Sequence, residues 1–301
     1  MSPAPEPGTH RATAGVQVLA LREGRSLRWP ETVVGEEPLE IRIAPGGAPA
    51  EQVAVTMRTP GHDFELAVGF LVAEGVLAPS QVRAVRYCVD AGEQQHNVVT
   101  VDCAGEVPGD RARRFTVSAS CGVCGSAAVE ELATRCIPLP PGPQMPASVL
   151  LALPEVLRSS QPVFDATGGV HAAGLFDRAG RCLAVREDVG RHNAVDKLLG
   201  WRVLASRAGA GAGAMDAGAG AGAGGEPGDG AVPAALVVSG RVSFEIVQKA
   251  AVGRIPIIVA VSAPSSLAVD TARRLHLTLV AFARGARANV YSAPERVVPG
   301  E

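Results

Sequence analysis

Apolar and polar residues alternate over residues 16–21, 39–44 and 53–59, the period of two expected of half-buried strands. Thr59-Pro60-Gly61 breaks that pattern. His62-Asp63 then opens a helix whose apolar positions Phe64, Ala67, Val68, Leu71 and Val72 share one face, ending near Gly75. Residues 82–89 and 98–103 read as strands of a hairpin around the polar turn 91–97. The first half is thus expected to be mostly antiparallel β with one helix. A cysteine loop and a short helix over 126–133 follow, then a segment with prolines at 138, 140, 141, 143 and 146 that reads as a linker.

The second half has a different rhythm. Thr167-Gly168-Gly169-Val170-His171 leads into an apolar run to Phe176, a turn at 177–180 and a strand over 182–186. The polar string 187–193 precedes a helix bearing Val195, Leu198 and Leu199. Residues 208–230 are almost all Ala and Gly, too poor in bulky side chains to build a core, and are expected to form a flexible insertion. Strand 234–238, helix 244–252, strand 257–261, helix 267–276 and strand 277–282 then alternate, which predicts right-handed βαβ crossovers and a parallel or mixed sheet. The expected class is α/β. Its organisation is a disordered start (1–15), a β-rich subdomain (16–136), a Pro-rich linker (137–148) and an α/β subdomain (149–294).

Composition narrows the function. The chain has 301 residues, a formal net charge of −2 and 4% aromatics, which argues against a nucleic-acid polymer as partner but not against a small anion. The N-terminus lacks an apolar signal region and no stretch approaches a membrane span, so a cytoplasmic protein without a membrane partner is expected. In a reducing cytosol Cys88, Cys103, Cys136 and Cys182 are expected to be buried small hydrophobes.

Cys121 and Cys124 are different, because the C-x-x-C spacing suits zinc, a redox disulfide or a sulfur atom in transit. Gly122 and Gly125 permit a mobile exposed loop. Ser126 can cap the helix that follows, and its dipole, with Arg113 and Arg114, favours thiolate. A single such pair leaves structural zinc short of four ligands, and the β-rich stretch before it is not the early βαβ unit of a thioredoxin-like site. No metal is therefore assigned. The stretch His171-Ala172-Ala173 echoes the H-x-E of zinc deaminases, but Ala173 stands where the general acid/base would be and the cysteines precede the histidine.

Ligands of an open parallel sheet bind beyond the carboxyl ends of its strands. The loops there are Ser239-Gly240-Arg241, Ser262-Ala263-Pro264-Ser265, and Phe282-Ala283-Arg284-Gly285-Ala286-Arg287. Their arginines and helix starts point to a phosphate-bearing ligand, although none matches a phosphate-loop fingerprint. Their arginines could equally be solvated charges and their serines helix caps. Glu187, Asp188, Arg191, His192 and Asp196 form a further polar cluster, in which Asp188 could be a cap with Arg191 as its ion-pair partner.

Glu37-Pro38-Leu39, Arg58-Thr59-Pro60-Gly61, Cys121-Gly122-Val123-Cys124-Gly125, Thr167-Gly168-Gly169-Val170-His171, the string from Glu187 to Lys197, and Ser239-Gly240-Arg241 closely resemble the formate dehydrogenase accessory sulfurtransferase family, over about residues 36–291. The resemblance implies a cytidine-deaminase-like larger subdomain. It implies sulfur transfer from a cysteine desulfurase, through a persulfide on Cys121 assisted by Cys124, to the molybdenum of a bis(molybdopterin guanine dinucleotide) cofactor that formate dehydrogenase needs. The 282–287 segment would contact that cofactor, with Ser239, Gly240, Arg241, Ser262, His171 and Arg191 around it; a homodimer is left open. A non-catalytic cofactor-binding chaperone and a zinc-dependent deaminase-like hydrolase are the competing readings. Two departures from the family pattern are His62 ahead of Asp63 after Pro-Gly, and the Ala/Gly insertion.

Overall fold

The structure, a computed structural model, describes residues 11–90, 93–105, 136–208 and 232–299. Cys121 and Cys124, the helix expected over 126–133 and most of the Ala/Gly insertion lie outside these residues.

The larger sheet has six strands in the order β13-β12-β11-β10-β8-β9, with β8 His171–Phe176, β9 Cys182–Asp188, β10 Ala235–Val238, β11 Ile257–Ala260, β12 Thr278–Arg284 and β13 Arg287–Ser292. β10, β11 and β12 run parallel, as the alternation of strand and helix requires; β8, β9 and β13 extend the sheet antiparallel, so it is mixed. Its residues divide by parity. Leu236, Val238, Ile258 and Ala260 face α4 (Arg191–Ala208), α5 (Phe244–Val252) and α6 (Ser266–Arg274) through Val195, Leu198, Ile246, Val247, Ala268 and Ala272. Ala235, Val237, Ile257 and Val259 face α2 (Ala147–Arg158) through Leu150, Leu153 and Leu157. A sheet covered on both faces explains why these strands read as continuous apolar runs.

The smaller sheet has the order β4-β3-β6-β5, with β3 Glu37–Pro45, β4 Glu51–Arg58, β5 Val82–Asp90 and β6 Glu93–Cys103. The expected hairpin β5–β6 forms, but β6 also pairs with β3 in parallel, a long-range pairing that local alternation cannot encode. Leu39, Ile41 and Ile43 pack on α1 (Asp63–Ala73) through Leu66, Val68 and Leu71.

The two halves meet where α1 crosses α4. A Cβ on Gly69 would lie 1.8 Å from the Asp196 carbonyl oxygen, and one on Gly200 1.8 Å from the Glu65 carbonyl oxygen, so the backbones touch through two glycines. The proline-rich segment is tied down at both ends of its run. Leu139 donates its N–H to the Leu275 carbonyl, and Arg296 donates to the Pro140 and His276 carbonyls. Met145–Pro146 (β7) pairs with Val297–Val298 (β14).

Several elements were not expected, among them β2 (Arg25–Val34), which pairs with β1 (Thr13–Arg22) in a largely exposed hairpin, and α2, which begins within the segment expected as linker (137–148) and runs on through Pro154. Among the described residues no helix is long and apolar enough to cross a membrane. Cys88, Cys103, Cys136 and Cys182 are free thiols; Cys103 is buried and the others half-buried, and burial raises the thiols of Cys103, Cys136 and Cys182.

Candidate functional site

The carboxyl ends of β10, β11 and β12 open onto a cleft of ≈ 1110 Å³. Its sheet side is formed by His171, Ser239, Val261 and the Ala283–Ala286 turn, its other wall by α2 and the short helix α3 (Pro162–Thr167). A smaller cleft of ≈ 680 Å³, at the amino ends of these strands, involves Pro140, Pro143, Arg178, Arg254 and Pro256 and gathers none of the candidate ligand-binding residues.

The loop from β10 and the start of β8 are locked together. Ala172 donates its N–H to Ser239 Oγ at 2.9 Å, and Ser239 returns its own N–H to the Ala172 carbonyl at 3.0 Å. Ser239 is thereby a structural bridge at the cleft floor. Gly240 follows, and a Cβ there would lie 3.3 Å from His171 Nδ1 and 3.8 Å from Arg191 Cδ, so the missing side chain keeps open the space between that imidazole and that guanidinium. Burial, with the charges of Arg191 and Arg241, holds the His171 imidazolium below its ordinary range, leaving a neutral ring at neutral pH. Arg191 Nε is buried and has no hydrogen-bond partner among the described residues, an unusual state for a guanidinium N–H.

The Phe282–Arg287 segment sits at the sheet edge. Pairing of β12 with β13 is irregular between Ala281 and Arg284, and Phe282 takes φ 53°, a conformation that costs a bulky residue. Phe282 is pushed outward and exposed while Ala283 turns inward, and Arg284 reaches the cleft. Phe282 N–H donates to the Ser262 carbonyl at 3.3 Å, joining two of the three expected loops. Arg241 and Arg287 are exposed nearby in chain order but do not line the cleft. Ser265 is a helix cap, accepting the Ala268 N–H, as its bland reading had it.

The polar string after β9 divides in two. Asp188 is fully buried, caps the turn through Gly190 N–H at 2.8 Å, and pairs with Lys197 at 2.7 Å rather than with Arg191. Asp196 and Glu74 pair with buried Lys249 at 2.8 and 3.0 Å; burial nonetheless pushes the Asp196 carboxyl up to about 6. His192 Nε2 lies 3.2 Å from Ser243 Oγ, and burial, with Lys249 and Arg191, pushes it down to about 4. These groups hold α4, the helix that carries Arg191.

Sequence reasoning missed the α2–α3 wall. Glu155, Arg158, Gln161 and Phe164 line the cleft, and the interrupting Pro154 and Pro162 concealed them.

Comparison with known proteins agrees with this architecture. The profile of the FdhD/NarQ family matches residues 34–298. Proteins named "Sulfur carrier protein FdhD" from Mycolicibacterium paratuberculosis and Nocardia farcinica are 44% and 46% identical, covering 95% of this chain and 99% and 95% of theirs. A crystal structure described as that of a candidate formate dehydrogenase accessory protein from Desulfotalea psychrophila superposes with a TM-score of 0.68 at 26% identity, over 95% of this chain and 100% of that one. A match that spans both sheets and the cleft between strand ends and α2 has one consequence: the chain belongs to the FdhD/NarQ family.

Proposed function

We propose that this chain is a sulfur carrier serving formate dehydrogenase, and that it passes sulfur from a cysteine desulfurase to the molybdenum of a bis(molybdopterin guanine dinucleotide) cofactor held as substrate in the strand-end cleft. The observation that carries the reading is the cleft, in which Arg284, neutral His171 and the Gly240 gap converge beside the unpartnered Arg191 Nε, in a chain matched along its length to proteins named sulfur carriers. A guanidinium N–H without a partner and a space free of Cβ suit a phosphate oxygen.

Sulfur would be loaded on Cys121. Its thiolate attacks the outer sulfur of the desulfurase persulfide; the donor's S–S bond breaks, the donor leaves as a thiolate, and Cys121 keeps a terminal S–S⁻. Cys124 assists by releasing the remaining sulfur or by guarding Cys121 as a transient disulfide. In this reading residues 16–136 deliver sulfur in the cytoplasm and residues 149–294 hold the acceptor, with 137–148 joining them, as a monomer or homodimer. Arg191 and Arg284 would balance the phosphates within the cleft, Arg241 and Arg287 would add positive charge from outside it, and Ser239, Gly240, Ser262, Phe282, Ala283, Gly285 and Ala286 would shape the seat.

Mass spectrometry after incubation with a cysteine desulfurase and cysteine tests the loading step, with one added sulfur expected on Cys121. If Cys121→Ala still acquires sulfane sulfur and activates formate dehydrogenase, the assignment fails. Full activation without either thiol would mark a chaperone, and stoichiometric zinc in the purified protein a hydrolase.

A further inference from the structure

The smaller cleft, at the amino ends of the strands, is walled by proline and bordered by arginine. Leu139, Pro140, Pro143, Val232 and Pro256 make its surface apolar. The proline wall is held in shape before anything binds, because Leu139 donates its N–H to the Leu275 carbonyl at 2.9 Å and Arg296 donates to the Pro140 carbonyl at 2.9 Å. Proline has a fixed φ and no N–H to leave unsatisfied, so such a wall is rigid and tolerates a dry contact. It cannot serve as a sheet edge, which leaves side-chain contact as the way to bind it.

Positive charge rims this apolar surface. Arg178, Arg181 and Arg254 line the cleft and are exposed, against one acid of the lining, Asp177, which is buried and already paired with Arg181 at 2.6 Å. Arg178 spends its Nε on the Gln144 carbonyl at 3.1 Å, and neither Arg178 nor Arg254 has an ion-pair partner among the described residues. A second hollow of ≈ 420 Å³ shares Pro141, Gly142, Pro143 and Arg178 with the first, so the surface continues beyond it. An apolar floor under unpaired guanidinium groups matches a peptide segment that carries both apolar side chains and carboxylates.

The course of the chain names the partner. The segment that holds Cys121 and Cys124 rejoins the described residues at Cys136, which packs on the same core as Leu139 and Leu275. Three positions, at most about 11 Å of chain, separate Cys136 from the cleft wall at Leu139. The two thiols are thus tethered to the rim of this cleft, whereas the larger cleft opens at the other end of the same strands.

We propose that the amino-end cleft is the docking site of the sulfur-donor protein, which seats there a segment with apolar side chains against Pro140, Pro143 and Pro256 and carboxylates on Arg178, Arg181 and Arg254. The inference rests on the reading of the chain as a sulfur carrier, and adds the surface that meets the donor. A donor seated at the amino ends leaves the strand-end cleft uncovered, so donor and acceptor do not compete for one place.

The test loads the full chain from two sulfur donors, a cysteine desulfurase with cysteine and glutathione persulfide, and follows the added sulfur on Cys121 by mass spectrometry over time. Glutathione persulfide is small and needs no docking surface. The double variant Arg178→Glu with Arg254→Glu, at two exposed positions, should load about tenfold more slowly from limiting desulfurase and within about twofold of wild type from glutathione persulfide. Arg178→Lys with Arg254→Lys keeps the charge and should load from both donors within about twofold of wild type. Added salt should slow the desulfurase reaction of wild type more than that of the charge-reversed chain. Unchanged desulfurase loading in the charge-reversed chain, or equal slowing with both donors, overturns the docking site while leaving the sulfur-carrier reading standing. Absence of added sulfur on wild-type Cys121 with either donor overturns the sulfur-carrier reading and the docking site with it.

Discussion

Lys197 and Asp188 saturate each other in the interior. The Lys197 ammonium has three donors and finds three acceptors: Asp188 Oδ2 at 2.7 Å, the Thr59 carbonyl at 3.0 Å and the Glu187 carbonyl at 3.3 Å. Asp188 in turn accepts from Thr59 N–H, Gly190 N–H and the Asn193 amide. The pair thus clamps the turn between β4 and α1 to the start of α4, which fixes the helix that presents Arg191. Lys197→Met removes one charge and leaves the other buried, so an unfolding free-energy loss of about 3–5 kcal/mol is expected in urea titration. A loss below about 1 kcal/mol would mean that water replaces the ammonium and that the clamp is not a closed network.

The α1–α4 crossing predicts a second sensitivity. A single methyl on Gly69 would overlap the Asp196 carbonyl, and backbone, unlike a side-chain tip, has no easy way to retreat. Gly69→Ala should therefore cost about 1–3 kcal/mol or more despite Ala's better helix propensity, because overpacking outweighs the ~1 kcal/mol gained in the helix. Thermal melting of the variant checks it, and a rise in Tm would show that the helices can part without loss.

His192 gives a pH dependence whose sign follows from its burial. Its pKa falls from the ordinary 6.5 to about 4 in the folded protein, so between those values the unfolded chain binds the proton more readily than the folded one. Its contribution is complete above pH 6.5 and is lost as pH falls toward 4. Asp196 works in the opposite sense, since a carboxyl raised to about 6 favours the folded state at low pH and loses that advantage as pH rises from about 4 to 6. Total stability therefore conceals both. The difference between wild type and His192→Gln, measured by urea unfolding at several pH values, isolates the histidine: wild type should lose on the order of 2–3 kcal/mol relative to the variant between pH 6.5 and 4. A flat difference would mean that His192 is as well hydrated in the fold as outside it.

Why some of this was legible from sequence and some was not comes down to which interactions are local. β10, α5, β11, α6 and β12 appear where the periodicity puts them, because each buries a face whose period is set by its own backbone. β2 escaped notice because Arg25–Val34 is exposed along its length and interrupted by Pro30, leaving no alternation to read. The insertion of β6 beside β3 depends on two strands more than fifty positions apart. Lys197 belongs to the same class: its spacing from Asp188 is visible, but that both are buried under Thr59 is a tertiary fact. Ser239 and Arg284 were found because strand ends converge in any such sheet, and His171 because the Gly168-Gly169-Val170-His171-Ala172-Ala173 stretch stands out, whereas Gln161 was not, since its place on the cleft wall depends on Glu187 capping α3 from another strand.

Gly240 supplies a test of the cleft that spares the fold. It lies next to Ser239, whose hydroxyl and N–H are already committed to Ala172, and it is not among the glycines with positive φ, so a side chain there meets no left-handed backbone strain. The first added carbon would stand 3.3 Å from His171 Nδ1, a contact relieved by a shift of a few tenths of an ångström, but the two further methyls of Val have to enter the space between His171 and Arg191. Gly240→Val should thus lower pyrophosphate and GDP affinity about tenfold or more, about 1.4 kcal/mol, because an anion and a methyl compete for one volume. Melting should shift by no more than a few degrees, which separates blocked binding from unfolding. If Gly240→Val binds both probes as wild type does, phosphate does not sit between His171 and Arg191, and the unpartnered Arg191 N–H must serve something other than the ligand.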